Sequence, residues 1–376
     1  DSAYEKPEDP EIILDGSQKT PEDLSEEIIS YLLKSEIINL WLVYLKKKFG
    51  QFKGSDVTLA TLSGDNTSIS IMNWGAAIQN WTVNHSTKSQ NSVVLGFENF
   101  DFYPKFSPYF GSIVGRVINR INKGKFELNG MNYQLDVNRS PNHLHGGFSG
   151  FGMALWDFET DEKENSITFS IKSDDGEGGY PGNVNVKAKY KLIGKKLTIE
   201  ISAIVDRETP LNMGQHNYFN LCSPSEKNYN ICNHLLYLNS NSFTETDQNL
   251  IPTGKILSTE GTRKHFYKEK KIGNISLDDN FILNTGNTLD NTAAKLINPF
   301  NDLSLKLWTD QPGIQVYNAS KLDLYQSGLN NNHYRNFSGI CLEAQKFPDS
   351  VNHAYFPSII VSPEKPYFHK TEIEIS

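Results

Sequence analysis

Two patterns of apolar and polar positions divide the chain near residue 54. In the first stretch Ile29, Leu33, Ile37, Leu40 and Tyr44 recur at helical spacing, with Leu32 and Trp41 widening the stripe. Thr20 stands where an N-cap belongs, Pro21 takes the first helical position and Asp23 follows three residues after the cap. Glu22, Asp23, Glu26 and Glu27 crowd the start, and Lys46, Lys47 and Lys48 precede Gly50, the charge order a helix dipole favours. The spacing predicts one amphipathic helix over about 21–49, inside an N-terminal extension, 1–54, whose lead-in 1–19 is polar, acidic and Pro-containing. Such a stripe serves to pack on the main domain, to dock a protein partner or to self-associate; its acidic first half opposes a membrane surface.

From residue 55 the period changes to two. Val57-Thr58-Leu59-Ala60-Thr61-Leu62, Ile167-Thr168-Phe169-Ser170-Ile171, Val184-Asn185-Val186-Lys187-Ala188 and Leu197-Thr198-Ile199-Glu200-Ile201 alternate apolar with polar residues between Gly, Asn, Asp and Pro. That is the strand signature. No long helical period follows, so 55–376 is expected to be all-β, an antiparallel sandwich or barrel instead of a parallel α/β sheet. No fixed-period repeat appears, which disfavours a propeller.

Composition narrows the chemistry. Hydrophobic residues at 38% and charged residues at 21% supply a sizeable core. A net charge of −8 and a pI near 5.7 argue against a nucleic-acid partner and leave a neutral polyol acceptable. Cys222, Cys232 and Cys341 form no C-x-x-C pair and are too few for a disulfide scaffold, so they read as buried thiols of a reducing compartment, the cytoplasm. No stretch reaches the roughly 18 uncharged apolar residues of a membrane span. The opening Asp1-Ser2-Ala3-Tyr4 carries no signal-peptide pattern, and the absent Met points to a trimmed, processed or partial chain.

Four segments carry candidate chemistry. In Pro141-Asn142-His143-Leu144-His145-Gly146-Gly147 the two histidines share a face if the segment is extended. They would bind a metal, fill structural roles or hydrogen-bond a neutral ligand; Gly146-Gly147-Phe148-Ser149-Gly150 offers no carboxylate, so no metal is expected. His216 lies in a run of amide and phenol side chains, as easily structural as functional. Glu343, between Leu342 and Ala344, places a carboxylate in an apolar strand-like run, where burial raises its pKa toward a general base's; Cys341 and Gln345 would share its face. Arg116 and Arg120 sit in an apolar stretch that obliges them to find partners. No P-loop or dinucleotide turn occurs, and no cofactor is expected.

Gly115-Arg116-Val117-Ile118-Asn119-Arg120-Ile121, Pro141-Asn142-His143-Leu144-His145-Gly146-Gly147, Gly178-Gly179-Tyr180-Pro181-Gly182, His216-Asn217-Tyr218-Phe219-Asn220-Leu221, Asp278-Asp279-Asn280-Phe281, Gln311-Pro312-Gly313-Ile314-Gln315-Val316-Tyr317 and Cys341-Leu342-Glu343-Ala344-Gln345 follow one another. Together they resemble the aldose 1-epimerase (galactose mutarotase) family over roughly 55–376. The resemblance implies a large antiparallel β-sandwich (supersandwich) with an open cleft for a hexose such as galactose or glucose, and no cofactor. It implies Glu343 as base and His216 as acid, with Asn119, Arg120, His145, Asn217, Tyr218, Asp278 and Gln315 binding hydroxyls or orienting the pair. That pair is expected to start as carboxylate and imidazolium. Gln215, Asn217 and Asp279 depart from the family pattern, and Asp279 puts the local charge in question. A hexose-phosphate 1-epimerase, using Arg116, Arg120 or Arg139 for the phosphate, and a sugar-binding scaffold acting through the N-terminal helix are the alternatives.

Overall fold

The computed structural model describes residues 10, 12, 14, 16–17, 19–34, 46–85, 88–223, 229–284, 288–300 and 303–376. The chain divides into two units, Asp1–Val43 and Tyr44–Ser376. In the first, the helix Pro21–Lys34 opens on a capping box: the Thr20 backbone N–H donates to the Asp23 carboxylate at 3.1 Å, and the Asp23 N–H donates to Thr20 Oγ1 at 3.2 Å.

The expected extension of this helix to residue 49 is wrong at its end. Lys46–Phe52 is a strand, paired antiparallel with Ser55–Gly64, while 35–45 lie outside the described residues. The hairpin turns on Lys53 and Gly54, with φ of 51° and 84°, the two positive angles of a type I′ loop. The β domain therefore begins before residue 55.

That domain is antiparallel throughout its strand ladders. Five strands from Lys46–Phe52 to Lys88–Ser92 form one sheet in sequence order. A nine-stranded sheet runs Asp157–Asp161, Ser166–Ser173, Val184–Ile193, Lys196–Val205, Tyr367–Ile375, Ser304–Thr309, Ala294–Ile297, Leu235–Leu238, Lys270–Lys271. A second five-stranded sheet runs Pro252–Ser258, Ser242–Thr246, Asp278–Ile282, Gly313–Tyr317, Cys341–Gln345. All four runs cited above for their alternation lie in strands.

Ile199, Ile201, Leu307 and Ile373 of the large sheet share one core with Phe281, Ile314, Val316 and Leu342 of the smaller one. Burial of such branched and aromatic side chains, at roughly 25 cal/mol per Å² of apolar surface, fixes both sheets face to face. Among the described residues no helix is long and apolar enough to cross a membrane.

Candidate active site

The strands Asp278–Ile282, Gly313–Tyr317 and Cys341–Gln345 lie side by side, aligning Asp278 with Tyr317 and Cys341, and Asn280 with Gln315 and Glu343. Alternation along each strand puts these six side chains on one face and Asp279, Val316 and Leu342 on the other. Val316 and Leu342 belong to the core. Asp279 pairs there with Lys264 at 2.7 Å, and that ammonium stands 4.5 Å from the centre of the Phe243 ring. The charge that Asp279 brings is thus met on the opposite face.

His216 arrives from a different segment. The pairing of Gly214–Gln215 with Ile113–Val114 continues into His216, whose N–H donates to the Ser112 carbonyl at 2.9 Å. Its ring lies between Tyr218, stacked at 5.2 Å, and Tyr109 at 6.0 Å, with His145 edge-on at 5.1 Å. Nε2 stands 3.7 Å from Glu343 Oε1, and Nδ1 stands 3.6 Å from Cys341 Sγ. Glu343 is 2% exposed, and its Oε2 has no protein partner among the described residues. Gln315 Oε1 and both amide atoms of Asn280, in the same row, are likewise unpartnered.

The remaining side chains form the rim. Arg120 Nη2 approaches Asp278 Oδ2 at 3.6 Å, and Gln315 Nε2 donates to Asp278 Oδ1 at 2.7 Å. Asn119, at φ 65°, accepts from the Arg120 N–H at 2.8 Å and donates its own N–H to His145 Nδ1 at 3.2 Å. That bond places the His145 proton on Nε2. Tyr218 donates its hydroxyl to the Pro108 carbonyl at 3.1 Å, so its ring supports His216. Asn217 donates to the side chain of Gln215, leaving its own amide oxygen unpartnered.

The two histidines of the 143–145 segment do not share a face. His145 has φ 51°, which breaks the extended geometry that an i, i+2 alignment needs. His143 turns instead to the Asp136 carbonyl at 2.8 Å and the Tyr180 hydroxyl at 2.6 Å. Arg116 is buried as expected, and its guanidinium donates to Ser173 and to the carbonyls of Pro181, Gly182 and Asp174. It braces the loop and does not face a ligand. Tyr109, Asn280 and the contact of Cys341 with His216 escape a reading by motif. The signal for the last two was the period-two alternation, which puts Asn280 beside Asp278 and Cys341 beside Glu343.

Burial dominates the electrostatics. It raises the Glu343 carboxyl well above the ordinary range, helped by Asp278 and opposed by Arg120. It lowers His216 from 6.5 to about 4 and takes His145 well below its usual value, His216 and Arg120 adding to the latter shift. Asp278 is raised by burial, against Arg120 and Gln315. Both shifts favour the neutral forms of Glu343 and His216, against the carboxylate and imidazolium expected at rest.

A separate groove of about 1190 Å³, lined among others by Trp156, Lys187, Ile204 and Phe368, lies on the outer face of the large sheet.

An antiparallel sandwich carrying a buried carboxyl–imidazole pair, ringed by amides, an arginine and a second carboxylate, defines a protein built for proton transfer on a polar, uncharged ligand. The aldose 1-epimerase family model matches residues 58–374. Galactose mutarotase of Mus musculus is 37% identical over 330 residues, covering 86% of this chain and 95% of that one. The Bos taurus galactose mutarotase is 36% identical over 322 residues, covering 84% and 93%. The galactose 1-epimerase structure from Lactobacillus acidophilus NCFM superposes with a TM-score of 0.78 at 26% identity, over 89% of this chain and 99% of that one. The chain belongs to the aldose 1-epimerase family.

Proposed function

We infer that this protein is an isomerase that interconverts the α and β anomers of a free hexose such as galactose or glucose, with Glu343 as base and His216 as acid. The observation that carries this reading is the 3.7 Å approach of a buried carboxyl to a buried imidazole beside unpartnered amides. Mutarotation takes a proton from the anomeric hydroxyl and delivers one to the ring oxygen. With the shared proton on His216, the Glu343 carboxylate takes the anomeric proton while the imidazolium protonates the ring oxygen. The C–O ring bond then breaks to give the open aldehyde. Rotation about C1–C2 and reclosure, the two groups exchanging roles, yield the other anomer. Each positioned transfer contributes roughly 10²- to 10⁴-fold.

Arg120, Asp278, Gln315, Asn119 and His145 supply the donors and acceptors that hold the hydroxyls. The steps move protons only, so this pair supplies the chemistry that they need. The phosphate-ester alternative loses support, since Arg116 is spent on backbone carbonyls and Arg120 faces Asp278. Cys222, Cys232 and Cys341 form no disulfide, which fits a cytoplasmic location.

Polarimetry on freshly dissolved α-D-galactose and α-D-glucose tests the reading. The protein is expected to speed the change in optical rotation in proportion to its concentration; a rate equal to the uncatalysed one for both sugars rejects it.

The pH profile follows from the shared proton. The active pair holds one proton. Its second is not accepted until His216 titrates, and burial has moved that event from 6.5 to about 4. Its only proton leaves above the ordinary carboxylate range, because Glu343 is raised. In a kcat/KM profile the acid limb is therefore expected near pH 4, and the alkaline limb is displaced upward from the ordinary carboxylate range. An acid limb at the unperturbed 6.5 would mean the working imidazole is solvated.

A further inference from the structure

We propose that His216, Cys341 and Glu343 also form a three-ligand site for a soft divalent cation, Zn2+ or Cd2+, whose binding shuts the cleft to sugar. One donor atom from each residue lies within 4.8 Å of the other two, and all three residues are buried. The closest approaches, 3.6 Å from Nδ1 to the thiol and 3.7 Å from Nε2 to the carboxylate, run to different ring nitrogens, so one of the two contacts must close further around an ion. Ligand bonds of about 2.0–2.3 Å put neighbouring donors roughly 3.3–3.8 Å apart.

An ion takes only one imidazole nitrogen. The Cys341 and Glu343 side chains, with one and three rotatable bonds, swing toward the nitrogen it selects. Glu343 Oε2 already lies buried without a protein partner, which leaves a carboxylate lone pair for the metal. A nitrogen, a sulfur and an oxygen with a fourth position open is a zinc-like donor set, and the sulfur discriminates against Mg2+ and Ca2+.

Nothing in the proton transfers requires a thiol. Cys341 stands on the ligand-facing side of its strand because it shares the parity of Glu343 and pairs in register with Tyr317. The stacked Tyr218 ring holds the imidazole that would ligate.

Binding replaces the thiol proton and the proton shared by the acid–base pair, and both leave to solvent, so affinity rises with pH. The bound ion occupies the base and the acid together, and the sugar is excluded competitively. This inhibitory consequence rests on the function proposed above. The binding itself does not.

The experiment titrates the intact protein with CdCl2 and follows the ultraviolet thiolate-to-cadmium charge-transfer band, with MgCl2 as control. One saturable equivalent is expected, reversed by EDTA, abolished in Cys341→Ser and retained in Cys222→Ser. A band that persists in Cys341→Ser, or none in the native protein, overturns the proposal whether or not the protein turns over sugar. Should Cys341→Ser fail to fold, Glu343→Gln keeps the thiol and is expected to weaken Cd2+ by at least the roughly 10- to 100-fold that losing a mere supporting partner of a ligand costs. Unchanged affinity in that variant also overturns it. In the polarimetric assay Zn2+ is expected to inhibit the native protein at concentrations at least about tenfold below those needed for Cys341→Ser.

Discussion

Glu343→Gln is expected to lower kcat for anomer exchange by about 10²- to 10⁴-fold while the protein stays folded. The amide keeps the volume and one acceptor oxygen but cannot take the anomeric proton. Stability works in the opposite direction. Burial raises the Glu343 pKa, and a group raised in the folded state favours folding below its unfolded value and opposes it as pH rises through the folded one. At neutral pH the native protein therefore carries an unfavourable group that Gln removes, and Tm is expected to equal or exceed that of the wild type. His216→Ala is expected to give a loss of the same order and the double variant to lose little more, as for two groups proposed to act as one unit. Anomer exchange measured by magnetisation transfer, with thermal melts alongside, checks all three. Near-wild-type turnover in either single variant would mean the proton passes elsewhere.

Arg116→Met is expected to cost several kcal/mol of folding stability, because each buried acceptor left without its donor costs roughly 1–3 kcal/mol. The native guanidinium is 2% exposed and donates at 2.7–3.1 Å to Ser173 and to three backbone carbonyls. Met fills the space and satisfies none of them. Arg207→Met is the control: Arg207 pairs with Asp175 at 2.6 Å, but both side chains are about half exposed, at 52% and 46%. Solvent screening leaves such a pair worth roughly 0–1 kcal/mol. Urea midpoints for the two variants decide the matter; equal shifts would assign Arg116 no bracing role.

Much of this was legible before any coordinates. Alternation located the strands, because each has one face in a shared core, and it put Cys341 and Gln345 beside Glu343. The ordered motifs named the residues that the cleft assembles. What they could not carry was direction. Asp279 reads as a second acid near the sugar, yet strand parity sends it to Lys264. His143 and His145 read as a pair, yet the left-handed backbone at His145 separates them. Lys46, Lys47 and Lys48 suit a helix end by charge, yet they form an edge ladder with Thr58, Leu59 and Ala60. The readable clue there was Lys53-Gly54, a turn pair that a helical stripe overshadowed. The downward shift of His216 was out of reach as well, since it depends on desolvation that only the packed cleft produces.

The order of strands in the large sheet also has a consequence for the protein's birth. Lys196–Val205 pairs on one side with its hairpin neighbour Val184–Ile193, but on the other with Tyr367–Ile375, about 170 residues later. A ribosome adding roughly 5–20 residues per second delivers that partner on the order of ten to thirty seconds afterwards. Throughout that interval the nascent sheet presents one bare hydrogen-bonding edge at what will become its middle. A bare edge is a template for the wrong strand as readily as for the right one. Until that strand arrives, whatever covers the open edge keeps a wrong strand from pairing there.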